Sequence, residues 1–511
     1  MGKNLTAPTS AAASPTEHEG RPRSALSAVR GDRSADIWEH LNERLEFCQN
    51  ETGDPYVRRR HSDGANRYQH LKSRKARALL RESCESAGIR LRPSDLREVQ
   101  ELLVDEAMKL PLMTISYRVT AAGDSIVIDL GTESGECVII QNGQWTVGVC
   151  PPDVHFKDTQ SMKPLPIPVR NEGDPAHVRL RRFLNLDHVS AFMVYAWMLN
   201  LVVTPKGPDS SFPILVLIGP QGSGKSVICR ALQELIDPRT TGLQSMATSV
   251  REFALMAADA HLLLMDNLRK LPAGVQDWLC MASTGGVYRA RELYTDRGLV
   301  DVPLQVGLVL NGVHGFIDQP DLADRCVIVL LKGLPDGDRR SESELMDGLR
   351  AELPLIYGGL LDDAAGVLAI WDEAIPENPS RMYDFCRLLA ALEQVHGVPG
   401  GVYQGAFAES VRAASKDSLE ENPLIGALFS FVTDLPSEYW SGSPQQLLDV
   451  LTEHRARGLR LTSDWPGNAI SLSKRLKSLT GLLAKHGVEV EFRRGRERAI
   501  VLTRTEAWRD E

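Results

Sequence analysis

The sequence predicts an α/β fold: a phosphate-binding core with a small module on each side. Three stretches predict it. Pro213 to Ser226 reads PILVLIGPQGSGKS, an apolar run that enters a glycine-rich loop with a lysine and a serine. Before it, residues 112–149 hold short apolar runs parted by Ala-Gly-Asp, Gly-Glu and Asn-Gly, the pattern of a small antiparallel β module. After it, two amphipathic stretches are followed by VEVEF, RRGRER and AIVLTR, giving helix, helix and hairpin, a winged-helix pattern.

The chain has 511 residues and a formal net charge of −9. That length suits three or four domains. The acidic balance, with a pI near 5.8, gives no global attraction to nucleic acid, so any basic surface must be local. The cysteines (48, 84, 137, 150, 229, 280, 326 and 386) form no C-x-x-C, which argues against a zinc ribbon or a disulfide framework and for a reduced, cytoplasmic setting. Cys229 reads as a small core residue. The most apolar stretch, Ala191 to Val203, is broken by Asn200 and falls short of the roughly 20 residues of a membrane helix.

Residues 1–35, rich in Ala, Ser, Pro, Arg and Gly, read as a disordered tail. Residues 36–111 read as a basic helical region, with a short amphipathic helix expected from Ile37 to Phe47. Between Arg58 and Arg81 the basic residues meet one acid, Asp63. This suits a phosphate-binding patch and, equally, a solvated helix face or a linker. The β module is placed at 112–150, its first strand within LMTISYRV. Residues 151–175, with KPLPIPVRNEGDP near the end, read as a linker. Asp187–His188 starts the next helix, which leads towards the strand at Ile214.

The core is placed at 176–416. Ile214 to Ile218 are apolar and rich in branched residues, as a strand buried on both faces would be. Gly219, Gly222 and Gly224 let the backbone fold tightly and bring N–H groups near a guest. Val227, Ile228, Ala231, Leu232 and Leu235 recur at helical spacing, so a helix starts near Gly224, and its free N–H groups and dipole favour an anion. GPQGSGKS fits G-x-x-x-x-G-K-[ST] in full, so Gly219, Pro220, Gln221, Gly222, Ser223, Gly224, Lys225, Ser226 and Val227 are the candidate ATP cradle. Lys225 is expected on the outer phosphates and Ser226 on Mg²⁺.

Further strands add candidates. HLLLMDN places Asp266 at the end of an apolar run, where a carboxylate can hold the Mg²⁺ shell. LQVGLVLNG ends in Asn311, placed to orient the attacking water or simply to end a strand. Arg325, between a polar turn and the strand CVIVLL, is placed either to reach the γ-phosphate on a neighbouring subunit or to pair with Asp321 or Asp324. Asn267, directly after Asp266, can orient water but cannot accept its proton.

Loop, strand-Asp, strand-Asn and downstream Arg in this order resemble an AAA+ ATPase. The closest resemblance is to superfamily 3 helicases of the phage, plasmid and integrative-element primase-helicase kind. It is carried by Asp266–Asn267, Trp278–Cys280, Thr284–Gly286, Arg291–Asp296 and Asn311–Gly312, and by RMYDF from Arg381 to Phe385. It covers roughly residues 110–505 and implies a P-loop AAA+ core. It also implies a ring, expected to be a hexamer, with ATP between neighbours and a hairpin between the Asp266 and Asn311 strands that faces a DNA channel. Arg289, Arg291 and Arg297 are its basic candidates for gripping DNA, Arg291 alternatively facing a neighbour's nucleotide. Each suits as well an ion pair, for example to Glu292 or Asp296.

Residues 425–511, after the acidic DSLEEN, form the winged-helix module. Ser443 is expected as a cap with Pro444 at the first helical position, and Gly487 ends the second helix. Lys474, Arg475 and Lys477 on that helix, and Arg493, Arg494, Arg496 and Arg498 on the wing, are where duplex DNA would lie. A protein-contact role for the same module is the alternative.

These features lead to a ring-forming, ATP- and Mg²⁺-dependent DNA helicase for replication of a phage, plasmid or integrated element, with single-stranded DNA in the channel. The first 111 residues are short for a usual primase fold and hold no paired-carboxylate motif, so a separate primase is an expected partner. The alternative is an ATP-assembled ring (initiator, loader or defence sensor) that binds DNA or a partner with little unwinding. A P-loop kinase is disfavoured by the C-terminal module and by Asn311 and Arg325.

Overall fold

The computed structural model describes residues 40–60, 66–86, 88–89, 92–291, 299–313, 315–317, 319–335, 340–421, 423–454, 465–494, 498–505 and 508. The chain separates into two compact units, residues 1–62 with 69–113, and 63–68 with 114–511.

In the first unit, Leu45–Asn50 and Pro55–Arg59 pair antiparallel, with Phe47 opposite Val57. Of the helix expected over Ile37 to Phe47, residues 37–39 lie outside the described residues, 40–44 are helical, and from Leu45 the chain is strand. Leu45 and Phe47, two apart, share the face that packs with Val57, Leu71 and Leu80, so period-2 burial prevails over the helical pattern. The helices Arg74–Glu85, capped by the Ser73 hydroxyl, and Pro93–Ala107 complete this core. Arg58 pairs with Glu46 at 2.7 Å and Arg59 with Glu82 at 2.5 Å, so these members of the basic run are already matched. Arg67, in the second unit, is likewise held by buried Asp129 at 2.8 Å.

The second unit opens with the β module. Val119–Ala122, Ser125–Asp129, Glu136–Gln141 and Gln144–Val149 form an antiparallel meander in chain order. Asn142 and Gly143 take φ of 52° and 72°, as a two-residue hairpin turn requires. LMTISYRV is not one strand. Arg118 within it takes φ 63°, and its fully buried guanidinium meets Asp237 with Nε at 3.1 Å. Asp237 closes the helix Lys225–Ile236, so this ion pair ties the β module to the core.

Residues 151–175 are a packed strap, not a free linker. Val154, Phe156 and Leu165 are buried, and the Val169 N–H donates to the Pro354 carbonyl at 3.0 Å. Pro354 lies in the long helix Glu342–Ala369. The approach is so close that a Cβ at Gly358 would sit 1.8 Å from the Val169 oxygen.

The core sheet has four parallel strands in the order Leu262–Leu268, Gly307–Gly312, Ile214–Ile218, Cys326–Leu330. Leu215, Leu217, Leu264, Val309 and Val327 face one apolar cluster, and Val216, Leu263, Met265, Leu310 and Ile328 face the other. Burial on both faces explains the nearly continuous apolar runs. The helix His188–Val203 is capped by Asp187, which accepts from the Ser190 N–H at 2.8 Å. Between the Asp266 and Asn311 strands, Val287–Arg291 and Leu299–Pro303 form an antiparallel hairpin.

The acidic DSLEEN precedes the C-terminal module and is itself helical as far as Glu421. Helix Val402–Glu421 holds that part, and the next helix starts at Pro423, where proline fits the first turn. The C-terminal module holds the helices Pro423–Thr433, Pro444–His454 and Ala469–Lys485. Its sheet has the order Tyr439–Gly442, Arg498–Arg504, Val488–Arg494. It thus carries one helix and one strand more than the sequence pattern indicates. The Ser443 cap forms a reciprocal box with Gln446, at 3.2 and 2.7 Å. Gly487 takes φ 79° beyond the third helix. Among the described residues, no helix is long and apolar enough to cross a membrane.

Candidate functional site

Three parallel strands bring their ends to one edge of the core sheet. Ile214–Ile218 runs into Gly219, Leu262–Leu268 carries Asp266, and Gly307–Gly312 carries Asn311. The pairings Leu217 with Asn311 and Met265 with Leu310 place them side by side. The cleft at this edge, about 1090 Å³, is lined by Gln221 to Val227, Asp266, Asn267 and Asn311.

The glycines are required by shape. Gly222 and Gly224 take φ of 80° and 88°, and Gly224 directly precedes the helix Lys225–Ile236. A Cβ on Gly219 would lie 2.8 Å from the Leu331 carbonyl oxygen and 2.9 Å from the Ser223 hydroxyl. Pro220, Gln221 and Gly222 are exposed at the tip, while Ser223 is buried beneath it. The Lys225 ammonium folds back and donates to the Gly219 and Pro220 carbonyls at 2.7 and 2.9 Å. Burial pushes its pKa down, against the pull of Asp266.

The strand bearing Asp266 bulges between Met265 and Leu268, and Asn267 takes the left-handed φ of 57°. The Asn267 N–H donates to the Asp266 carboxylate at 2.8 Å. Asn311 is buried, with Nδ2 3.8 Å from the Cys229 sulfur, and burial pushes that thiol up to about 12.

Arg325 is not part of this cleft. It precedes Cys326, which pairs with Ile214 at the opposite end of the strands. Its guanidinium is nearly buried, 3.6 Å from Asp321, one of the two acids the sequence offers it. Arg289 pairs with Asp301 across the hairpin at 2.7 Å, while Glu292 and Asp296 lie outside the described residues. Arg291 stands opposite Leu299 in that hairpin, and Arg297 lies outside the described residues.

In the C-terminal module Lys474 and Lys477 are exposed, and the Lys477 ammonium lies 5.2 Å over the Phe492 ring. Arg475 is half-buried. Arg493 is exposed and pairs with Glu491 at 2.8 Å. Arg494 pairs with Arg498 through the backbone, while its side chain and all of Arg496 lie outside the described residues.

Sequence reading misses part of the lining. Arg182, Arg269 and Arg340 reach the same cleft. Asn185 lines the cleft too, and its amide braces the loop, donating to the Ser223 and Lys332 carbonyls at 3.0 and 2.9 Å. No local pattern marks Asn185, because its partners lie 38 and 147 residues away.

Comparison with known proteins places the chain among replication proteins of mobile elements. Residues 178–417 match the family described as actinomycete integrative conjugative element replication protein, and residues 424–510 match the AICE RepA C-terminal domain. Together the two matches span more than half of the chain, and the chain belongs to this RepA family. No curated protein matches. Among solved structures, the apo C-terminal region of NrS-1 aligns at 11% identity and a TM-score of 0.40, over 92% of this chain and 98% of that one. JCV Helicase aligns at 16% identity and a TM-score of 0.22, over 47% of this chain and 64% of that one.

Proposed function

We propose that this replication protein is an ATP-driven DNA helicase of the superfamily 3 kind. Copies of it would form a ring, with nucleotide in the glycine-loop cleft. The observation that carries the reading is the meeting of Gly219–Ser226, Asp266 and Asn311 at one edge of a parallel sheet. The strand order, with the loop strand between those of Asn311 and Arg325, supports a P-loop AAA+ core.

The residues fit a nucleotide. Gly219 leaves a hollow that a Cβ would fill, and the loop opens onto the N-terminus of a 12-residue helix. Lys225 is a half-buried cation held by the Gly219 and Pro220 carbonyls and the Ser223 hydroxyl, ready to exchange carbonyls for phosphate oxygens. Among the described residues no group of three His, Cys, Asp or Glu could hold a metal alone. Mg²⁺ here would rest on Ser226, Asp266 and the phosphates, supplying charge neutralisation. Asn267 and Asn311 bring amides that orient water. The C-terminal module, with Lys474, Lys477 and Arg493 exposed, supports a winged-helix DNA contact.

One observation favours a second reading, a ring that assembles on ATP and recognises DNA with little unwinding. Asn267, and not a carboxylate, follows Asp266, and slow hydrolysis is expected from that. Strand displacement on forked DNA with ATP and Mg²⁺ separates the two, with assembly followed in parallel. The helicase reading expects displacement by the wild type and a loss of ~100-fold or more with Lys225→Ala. Assembly and hydrolysis without displacement would select the second reading. Equal turnover in the wild type and Lys225→Ala would remove the glycine loop from both.

A further inference from the structure

We propose that the outer face of the helix Arg74–Glu85 binds the DNA backbone, as a contact surface separate from the glycine-loop cleft and from the C-terminal module. The family matches begin at residue 178, so neither reaches this helix. The proposal does not depend on the cleft being an ATP site.

The basic run from Arg58 to Arg81 divides into two kinds of residue. Arg58, Arg59 and Arg67 are matched to Glu46, Glu82 and Asp129. Lys72, Arg74, Arg77 and Arg81 are exposed, and among the described residues none of these four is ion-paired. Arg77 meets a neutral amide instead, its Nε donating to Gln100 Oε1 at 3.2 Å. Exposed cations elsewhere in the same unit do find acids, Arg92 with Asp95 at 3.0 Å and Lys109 with Glu106 at 2.8 Å.

Helical spacing gathers the unmatched arginines. Positions 74, 77 and 81 are three and four apart, so they stand one above another in a single stripe. Ala78 is exposed beside them, and its methyl group lets a backbone come close. Seven residues at about 1.5 Å each set Arg74 and Arg81 roughly 10 Å apart along the axis. At ~3.4 Å of duplex axis per phosphate, about three phosphates of one DNA strand span that distance. The acids of this helix, Glu82 and Glu85, lie in its last turn, and Glu82 is taken by Arg59.

Folding does not account for the stripe. The helix begins with Arg74, Lys75 and Arg77 and has no acid in its first turn, although the helix dipole disfavours cations there. The last turn, where the dipole favours them, holds no basic residue. A bound polyanion would offset that unfavourable arrangement. A lipid surface fits less well. The opposite face, with Ala76, Leu79, Leu80 and Cys84, is buried against Leu45, Val57 and Leu71, so no apolar face is left to enter a bilayer. The chain belongs to a replication family, and DNA is the polyanion such a protein meets.

The test uses the full chain without nucleotide, with a short fluorescein-labelled duplex and the matching single strand. Anisotropy titrations across a salt series read affinity and its salt dependence. The variant carrying Arg74→Gln, Arg77→Gln and Arg81→Gln keeps a good helix former at each position. It is expected to bind duplex ~10-fold or more weakly at low salt, and its slope of log affinity against log salt should shrink by about 2.7, since each lost phosphate contact removes about 0.9. Arg74→Lys, Arg77→Lys and Arg81→Lys together should retain the slope, because a phosphate contact needs the charge and not a fixed fork. A control with Arg92→Gln, Lys109→Gln and Arg412→Gln removes the same charge from exposed, ion-paired positions and should keep the wild-type slope. The melting temperature of the glutamine variant should stay level or rise, as cations leave the start of the helix. Loss confined to duplex or to single strand supports the proposal and identifies the form of DNA the stripe holds. Wild-type slopes on both forms would overturn it, whether or not the glutamine variant then loses binding to phosphatidylserine vesicles or to polyglutamate, results that would assign the stripe to a membrane or to an acidic protein. An equal fall in slope in the control would reduce the effect to net charge and overturn it as well. So would a lower melting temperature in the glutamine variant with the lysine variant failing alike, which would make the stripe structural.

Discussion

Asn267 shows how one backbone angle constrains chemistry. Its φ of 57° lies in the left-handed region, which asparagine enters more readily than glutamate. The sequence shows an amide where many AAA+ ATPases carry a carboxylate. The structure supplies a reason, since the bulge after Met265 demands a conformation that suits asparagine. Asn267→Glu is therefore expected to cost about 1 kcal/mol of stability, read as a lower melting temperature, without a gain in turnover. Asn267→Gly should melt near the wild type. A glutamate variant that is faster and equally stable would contradict this. The glycine loop is legible in the sequence because its residue pattern is local, contained within the span Gly219 to Val227. Arg118 is not, for its partner Asp237 lies 119 residues away and nothing near either residue announces the pair. Arg325 is legible as one of two options, and its guanidinium lies 3.6 Å from Asp321, one of the acids the sequence offers it.

At the scale of elements, the joints were harder to read than the elements they join. The Asn142–Gly143 turn, the Asp187 and Ser443 caps and the continuously apolar core strands all follow from short-range rules. Residues 151–175 do not, because prolines suggest a linker while Val154, Phe156 and Leu165 anchor the segment. One joint has a pH signature. His261, just before the Leu262 strand, has its ring Nε2 2.9 Å from the Leu201 carbonyl near the end of the His188–Val203 helix. Burial, and then the charge of Lys206, lower its pKa from 6.5 to about 4. The folded protein thus holds this ring neutral while the unfolded chain protonates it below about pH 6.5. The unfolded state binds more protons, so stability falls as pH drops from 6.5 towards 4, by roughly 3 kcal/mol for one such group. Urea unfolding across that range should show the loss, and His261→Gln should flatten it. His177, pushed to about 4 by burial and by His396, retains a second share. An acid limb unchanged in His261→Gln would refute the assignment.

At the scale of the whole molecule, the proposed function sets a net charge of −9 against DNA binding, so affinity would have to come from local cations. Lys474 and Arg493 are exposed in the C-terminal module, Arg493 with Glu491 beside it. Replacing both by alanine should weaken duplex binding and reduce the slope of log affinity against log salt by about 2. An unchanged slope would assign the module to protein contact. The central claim is that the cleft at Gly219–Ser226 is an ATP site. Calorimetric titration of ATP into the wild type and Lys225→Ala, with and without Mg²⁺, addresses it without requiring assembly or DNA. The account predicts binding by the wild type that Mg²⁺ strengthens, and a loss of ~100-fold, about 2.7 kcal/mol, in the variant. Equal affinities in the two proteins, or no heat from the wild type at millimolar ATP, would contradict it.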